Sequence, residues 1–298
     1  MTALWDEPLS AHTTFRIGGP ADAFVMPAGP GDLAALLRLL ADADVPAAVV
    51  GGGANLLAGD LGFRGTVVCT GRLRELRPRD DGTLFAGAGL PVVDLVRAAL
   101  DRGLSGLEFA AGLPGSVGGA AYMNARCYDR EMADALVEVE YLDAAIGLMG
   151  TELVDRGEWE YKRTPFMPGG RLAGRVVTGA RFRLEPGTRT IMASRMRDLE
   201  ADRAAKGHFD HPCAGSLFKN DRRFGRPTGR ILDELGFRGR RVGDAMVSPK
   251  HANIFVNAGR ATASDMMRLI DEARDAARSA FGFELEPEVV FLGEFAEH

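Results

Sequence analysis

Two glycine clusters, Gly51-Gly52-Gly53-Ala54-Asn55-Leu56-Leu57 and Gly112-Leu113-Pro114-Gly115-Ser116-Val117-Gly118-Gly119, constrain this 298-residue chain more than any other feature. Glycine lets backbone amides crowd around an anion with no Cβ in the way, so two such loops suit a ligand that carries a diphosphate. The first cluster follows directly on the apolar run at residues 47–50, which reads as a buried strand. Leu56 stands where a G-x-G-x-x-G fingerprint needs its third glycine, and no Gly-Lys-Ser/Thr run occurs in the chain. A Rossmann fingerprint and a P-loop are therefore both absent. Taken one at a time, glycine-rich stretches are more often tight turns than cofactor cradles.

Helix and strand patterns alternate around these loops. Leu33, Leu36, Leu37 and Leu40 recur at helical spacing within residues 32–43, Pro46 closes that segment, and residues 65–69 read as another short strand. This first α/β unit ends near Thr70. A polar stretch at 72–82, with Pro78 and the Asp80-Asp81-Gly82 turn signal, reads as a boundary. Beyond it come a strand at 83–86, a helix at 92–102 and alternating strands at 136–142 and 175–184. A helix at 190–206 opens a third region, where Thr262 and Asp265 form a capping-box pattern before a helix that runs to about Ala280 and stops at Gly282. A strand at 288–292 closes the chain. The expected domains are 1–70, 71–188 and 189–298.

The formal net charge of -5 argues against a protein built to hold a polyanion, so nucleic acid is not an expected partner. Asp6 and Glu7 and the lack of an apolar core with basic flanks argue against a signal peptide in the first 30 residues. The least polar stretch, residues 45–59, is too short for a membrane span and contains four glycines. A cytoplasmic location is expected. Cys69, Cys127 and Cys213 lack paired spacing, and the close pair His208 and His211 lacks a partner at ligand spacing, so no metal is expected.

The two glycine clusters together resemble the pyrophosphate-contacting loops of the flavoprotein fold of the vanillyl-alcohol oxidase and p-cresol methylhydroxylase type, which the UDP-N-acetylenolpyruvoylglucosamine reductase family shares. The likeness to that reductase family continues through Thr13-Thr14-Phe15-Arg16-Ile17-Gly18-Gly19-Pro20 and Ala214-Gly215-Ser216-Leu217-Phe218-Lys219-Asn220. It extends to Gly229-Arg230-Ile231-Leu232-Asp233-Glu234, Lys250-His251-Ala252-Asn253 and Leu285-Glu286-Pro287-Glu288-Val289. The resemblance implies an α+β protein in which an FAD-binding fold is followed by a C-terminal α+β substrate-binding domain. It implies FAD as cofactor, NADPH as reductant and UDP-N-acetylglucosamine enolpyruvate as a small-molecule substrate, reduced to UDP-N-acetylmuramate in peptidoglycan precursor synthesis. A monomer with no membrane partner is expected.

The same resemblance implies roles for individual residues. Gly51, Gly52, Gly53, Ala54, Asn55 and Leu56, with Gly112, Pro114, Gly115, Ser116, Val117, Gly118 and Gly119, would hold FAD. Ser216 would donate a proton, Glu288 would be the second catalytic acid, and Lys219 and Asn220 would contact the nucleotide or sugar. On composition alone, a serine in a glycine-flanked loop and a carboxylate at a strand end read as solvated groups, and only their motif positions promote them.

Tyr161-Lys162-Arg163-Thr164-Pro165-Phe166 resembles the family segment in which a catalytic arginine follows a tyrosine. Here Lys162 takes the arginine's place and Arg163 follows, so either could supply the cation; lysine brings charge without the bidentate fork of a guanidinium. Met246 and Val290 stand where the family often has a glutamine and a basic residue, and Asn124-Ala125-Arg126-Cys127-Tyr128-Asp129 replaces smaller residues beside the second loop. The short span from 161 to 184 is similar to the subtype that lacks an extra substrate-covering loop. Two rivals stay open: an FAD sugar or alcohol oxidase of the same fold, and a non-catalytic flavin- or nucleotide-binding paralogue.

Overall fold

In the computed structural model, which describes residues 1–296, the chain forms two compact units. The first comprises Met1–Trp5, Ala23–Gly52 and Gly65–Glu200; the second comprises Asp6–Asp22, Gly53–Arg64 and the chain from Ala201 onwards.

The first unit is built on two sheets. One takes Thr2–Pro8, Pro20–Met26, Phe63–Cys69 and Ala47–Val50 in that order, of which residues 2–5, 23–26, 65–69 and 47–50 belong to this unit, and the last two strands pair in parallel. Helix α1 (Pro30–Asp42) forms where the leucine spacing predicts, with Pro30 at the first helical position, where its missing N–H costs nothing. Its Leu33, Leu36, Leu37 and Leu40 share one buried cluster with Ala23, Val25 and Val68. The second sheet is antiparallel and runs Leu148–Leu153, Leu136–Asp143, Val176–Phe182, Leu84–Gly87, Leu76–Pro78. Helix α2 (Val92–Asp101) contributes Val92, Leu95, Val96 and Ala99 to its core, and the short α3 (Val117–Tyr122) contributes Val117, Ala120 and Ala121. The strand Leu76–Pro78 lies inside the polar stretch read as a boundary. Three residues, none of them buried, at the edge of a sheet leave no periodicity to detect. Helix α4 (Arg189–Ala205) begins at the end of this unit.

The second unit holds an antiparallel sheet in the order Cys213–Ser216, Ile254–Asn257, Ala245–Val247, Arg241–Val242. With it go helices α5 (Thr228–Glu234) and α6 (Ala263–Phe281). Met266, Leu269, Ile270, Ala273 and Ala277 of α6 share one core with Phe15, Ile17 and Leu57. The expected capping box is present: Thr262 Oγ1 accepts the Asp265 N–H at 3.0 Å, and the Asp265 carboxylate accepts the Thr262 N–H at 3.1 Å. Gly282, left-handed at φ 69°, ends the helix. Asp60 adds an anchor that nothing in the local sequence announces, accepting the Ala263 and Ser264 N–H groups at 2.7 and 2.9 Å.

The last strand is shorter than the reading of residues 288–292. It spans Val290–Leu292 and pairs in parallel with Leu56–Ala58, the continuation of the first glycine cluster. Glu288 stays outside the ladder because its main chain bonds elsewhere, to Leu217 and to the Asn55 side chain. Among the described residues no helix is long and apolar enough to cross a membrane.

Candidate functional site

In the first unit, the start of one glycine cluster presses against the other. The Gly52 N–H donates to Ser116 Oγ at 3.2 Å. A Cβ on Gly51 would lie 2.3 Å from that oxygen, and one on Gly52 would lie 2.8 Å from the Cα of Gly115, so any larger residue forces the loops apart. Gly112 and Gly115 take positive φ values of 68° and 95° as the chain turns into α3. The Val117 and Gly118 N–H groups each donate at 2.8 Å, to the Leu90 and Ala88 carbonyls, so these two amides hold the loop to its own unit. A Cβ on Gly119, by contrast, would meet only Ser116 Oγ, at 3.6 Å. That leaves main-chain surface clear for a bulky cofactor, and this fit is the structural support for FAD at the loop.

Gly53 begins the second unit's share of the same cluster. Its φ is 63°, a Cβ there would fall 1.9 Å from the His12 carbonyl, and its own carbonyl accepts the Thr14 N–H at 3.1 Å. The Thr13-Thr14 motif and Gly53 therefore form one packed corner of the second unit.

Lys162 sits at a tight reversal in the first unit. Glu160 and Arg163 exchange main-chain bonds, N–H to carbonyl, at 3.0 and 3.2 Å, and Lys162 between them is left-handed at φ 54°. A non-glycine residue there is held against its own preference, which is common at functional positions. The surroundings fix it: Asn124, fully buried and itself at φ 42°, donates from Nδ2 to the Glu160 carbonyl at 3.0 Å and accepts the Ala133 N–H at 3.0 Å. Thr164 Oγ1 donates to the Tyr122 carbonyl at 2.8 Å, anchoring the turn to the end of α3. The Lys162 ammonium is 5.9 Å from the Tyr161 ring centroid, and the Arg126 guanidinium is 5.7 Å from it. Lys162 is half-buried, whereas Arg163 is 76% exposed and paired with Glu160 at 3.3 Å.

In the second unit, Ser216 ends the strand Cys213–Ser216, opposite Ile254, after an irregularity that includes Gly215 at φ 78°. The chain then passes through Leu217, whose N–H donates to the Asn253 carbonyl at 2.8 Å and whose carbonyl accepts the Glu288 N–H at 2.6 Å. One residue thus links the segment that carries Ser216 to the segment that carries Glu288. The Lys219 N–H bonds the Glu286 carbonyl at 2.9 Å, and the Lys219 ammonium is ion-paired with the Glu286 carboxylate. Asn220 accepts the Thr228 N–H at 2.9 Å at the start of α5. Ser216, Asn220, Arg230, Arg238, His251 and Asn253 line a cavity of about 620 Å³.

His251 lines this cavity, and His208 lies close enough to His251 to be affected by it. Burial, with Arg203, His251 and Lys206 adding to it, pushes His208 down to about 4. Burial, then Lys206 and Arg238, also lowers His251, whose Nδ1 accepts the Asn253 N–H at 3.2 Å. Both rings are neutral near pH 7.

Residues 207–292 match the C-terminal domain of UDP-N-acetylenolpyruvoylglucosamine reductase, and residues 21–149 match an FAD binding domain. A UDP-N-acetylenolpyruvoylglucosamine reductase of Geobacter metallireducens is 41% identical over 292 residues, covering 98% of this chain and 94% of its own. The protein of that name from Agathobacter rectalis is 40% identical over 304 residues, again 98% and 94% of the two chains. The chain belongs to the UDP-N-acetylenolpyruvoylglucosamine reductase family. A crystal structure of the reductase from Thermus caldophilus matches with a TM-score of 0.80 and 31% identity over 98% of both chains. The expected fold, an FAD-binding fold followed by the family's C-terminal α+β domain, is borne out.

Within that family frame, main-chain bonds of the second unit tie the segment 216–220, which carries Ser216, Lys219 and Asn220, to the segment 286–288, which carries Glu288, while Lys162 and Arg163 belong to the first unit. Reading of the sequence assigned no role to Asn124, Arg230, Arg238, His251 or Asn253. The Lys250-His251-Ala252-Asn253 motif is the one signal for the last two, and its Asn253 bonds the main chain of Leu217 and Phe218, directly after Ser216.

Proposed function

We infer that the chain performs the reaction of its family, the NADPH-dependent reduction of UDP-N-acetylglucosamine enolpyruvate to UDP-N-acetylmuramate in peptidoglycan precursor synthesis. It is an FAD-containing oxidoreductase, and relatives of one name over nearly its full length disfavour the oxidase alternative. Gly51, Gly52, Gly115, Ser116 and Gly119 would hold FAD, which when bound would supply the hydride chemistry, with NADPH as the reductant.

Hydride addition at the methylene carbon of the enol ether drives the π electrons toward the adjacent carbon and its carboxylate. Lys162 offsets that negative charge through space, and the Ser216 hydroxyl gives its proton to the adjacent carbon, forming the second C–H bond. The serine oxygen then regains a proton from solvent. Glu288, as the second acid, hydrogen-bonds the developing charge without a net transfer of its proton, and Lys219 and Asn220 bind the nucleotide or sugar. Lys162, not Arg163, is the cation in this reading, because it stands at the family arginine's place after Tyr161 and is half-buried where Arg163 is exposed.

The observation that carries this reading is Leu217, whose N–H and carbonyl tie the Ser216 segment to Asn253 and Glu288. On the same reading the protein is a cytoplasmic monomer with domains at 1–70, 71–188 and 189–298. Anaerobic reduction by NADPH followed by mixing with the enolpyruvyl sugar tests it. Fast flavin reoxidation is expected; tight binding of the sugar nucleotide without reoxidation would favour the non-catalytic paralogue, and oxygen uptake without nicotinamide would favour the oxidase.

A further inference from the structure

Asn55 follows the last glycine of the first cluster, and its side chain bonds the main chain of a distant segment. Asn55 Nδ2 donates to the main-chain carbonyl of Glu288 at 2.9 Å, and the Asn55 carbonyl accepts the Val290 N–H at 2.9 Å. The two bonds bracket Val289, which is 4% exposed. On its other side, the Glu288 N–H is held by the Leu217 carbonyl at 2.6 Å. The parallel pairing with Leu56–Ala58 begins only at Val290. The asparagine amide therefore acts as an extra rung, supplying the donor that a neighbouring strand would otherwise provide. Glu288 is pinned through both of its main-chain polar groups, once to the segment carrying Ser216 and once to Asn55.

We propose that Asn55 is a positioning residue that sets Glu288 relative to Ser216, which makes the tail of the first glycine cluster part of the acid site. The inference rests on the catalytic role proposed above for Glu288. Alanine at position 55 leaves the Glu288 carbonyl without its donor. Aspartate keeps the size but turns an oxygen toward a carbonyl oxygen, which repels it until the new carboxyl takes up a proton.

The test uses the FAD-loaded proteins Asn55→Ala, Asn55→Asp and Glu288→Gln, following each half-reaction anaerobically across pH, with FAD affinity and thermal midpoint measured alongside. For both Asn55 variants at saturating FAD, reoxidation by the enolpyruvyl sugar falls about 10- to 100-fold more than reduction by NADPH does, the scale of a reacting group misplaced by about 1 Å. In Asn55→Asp the deficit narrows as pH falls toward about 4, where the new carboxyl regains a donor, a response that a loss of stability alone does not produce. Unchanged reoxidation rates and pH profiles in both variants overturn the proposal, as does weakened FAD binding with both half-reactions intact at saturating FAD. If Glu288→Gln reoxidises at the unaltered rate, the role of Glu288 itself is wrong; if it is slow while the Asn55 variants are normal, only the positioning is wrong.

Discussion

Asn253 holds the main chain of Phe218 from both sides: its Oδ1 accepts the Phe218 N–H at 3.0 Å and its Nδ2 donates to the Phe218 carbonyl at 2.8 Å. The side chain is 1% exposed, so no solvent replaces these bonds once they are lost. With the Leu217 N–H on the Asn253 carbonyl, three bonds to one residue shape the loop that follows Ser216. Asn253→Ala orphans two buried main-chain groups and is expected to destabilise the protein by about 2–4 kcal/mol, read from the urea midpoint at constant slope. A shift under about 0.5 kcal/mol would show that the loop is held by other means.

Stability is expected to fall between neutral and mildly acid pH because of His208. Unfolded, the ring takes up a proton near pH 6.5, whereas in the folded protein burial holds it down to about 4. Over that window the unfolded chain binds the additional proton, so the stabilising contribution is complete above about pH 6.5 and is lost as pH drops toward about 4. His251, lowered by burial and by Lys206 and Arg238, acts in the same direction. Urea unfolding at pH 7 and pH 5 should show the loss, and His208→Asn should flatten it. Equal stability at both values in the unaltered protein would remove the basis for this account of the two rings.

Lys162 and Arg163 separate cleanly by mutation. Lys162→Ala is expected to slow flavin reoxidation by the enolpyruvyl sugar by about 100-fold, the usual cost of removing one group that stabilises a developing negative charge. Reduction by NADPH should survive in that variant. Arg163→Ala removes an exposed ion pair with Glu160 and should leave both half-reactions within about threefold, consistent with the small energies of such pairs. Lys162→Gly, which relieves the φ of 54° but removes the charge, should be as slow as Lys162→Ala. The reverse pattern, with Arg163→Ala inactive and Lys162→Ala active, would reassign the cation.

The Lys219 ammonium is 24% exposed and its partner, the Glu286 carboxylate, is 70% exposed, so the pair can open toward an incoming diphosphate. Glu286→Gln removes the competitor, and KM for the sugar nucleotide should fall by up to about fivefold, the equivalent of a surface pair of about 1 kcal/mol. Lys219→Ala should raise KM, with reduction by NADPH unaffected. A KM unchanged in both variants would place the diphosphate elsewhere.

Much of the fold is legible because its signals are local. The leucines of α1, the Thr262 and Asp265 box and the stop at Gly282 each declare themselves within a few residues, and each is found in place. The strand Leu76–Pro78 is not legible, since it exists only because Leu84–Gly87 offers it an edge. At the site, motif position singles out Ser216 and Glu288, but their connection does not follow from any spacing. It runs through Leu217, Asn253 and Asn55, and the bond from Asn55 to Glu288 spans 233 residues of sequence. Strain at Lys162 is equally hidden, because the left-handed turn is held by Asn124 and by the Tyr122 carbonyl that Thr164 bonds, both outside the segment.

The most direct test of the central claim is a double-mixing stopped-flow comparison of the unaltered protein with Ser216→Ala, reduced anaerobically by NADPH and then exposed to UDP-N-acetylglucosamine enolpyruvate. The expected result is normal flavin reduction in both and fast reoxidation in the unaltered protein alone, with Ser216→Ala slower by about 100-fold or more, the scale of a lost proton donor. Reoxidation of Ser216→Ala at the unaltered rate, or loss of both half-reactions together, would contradict it.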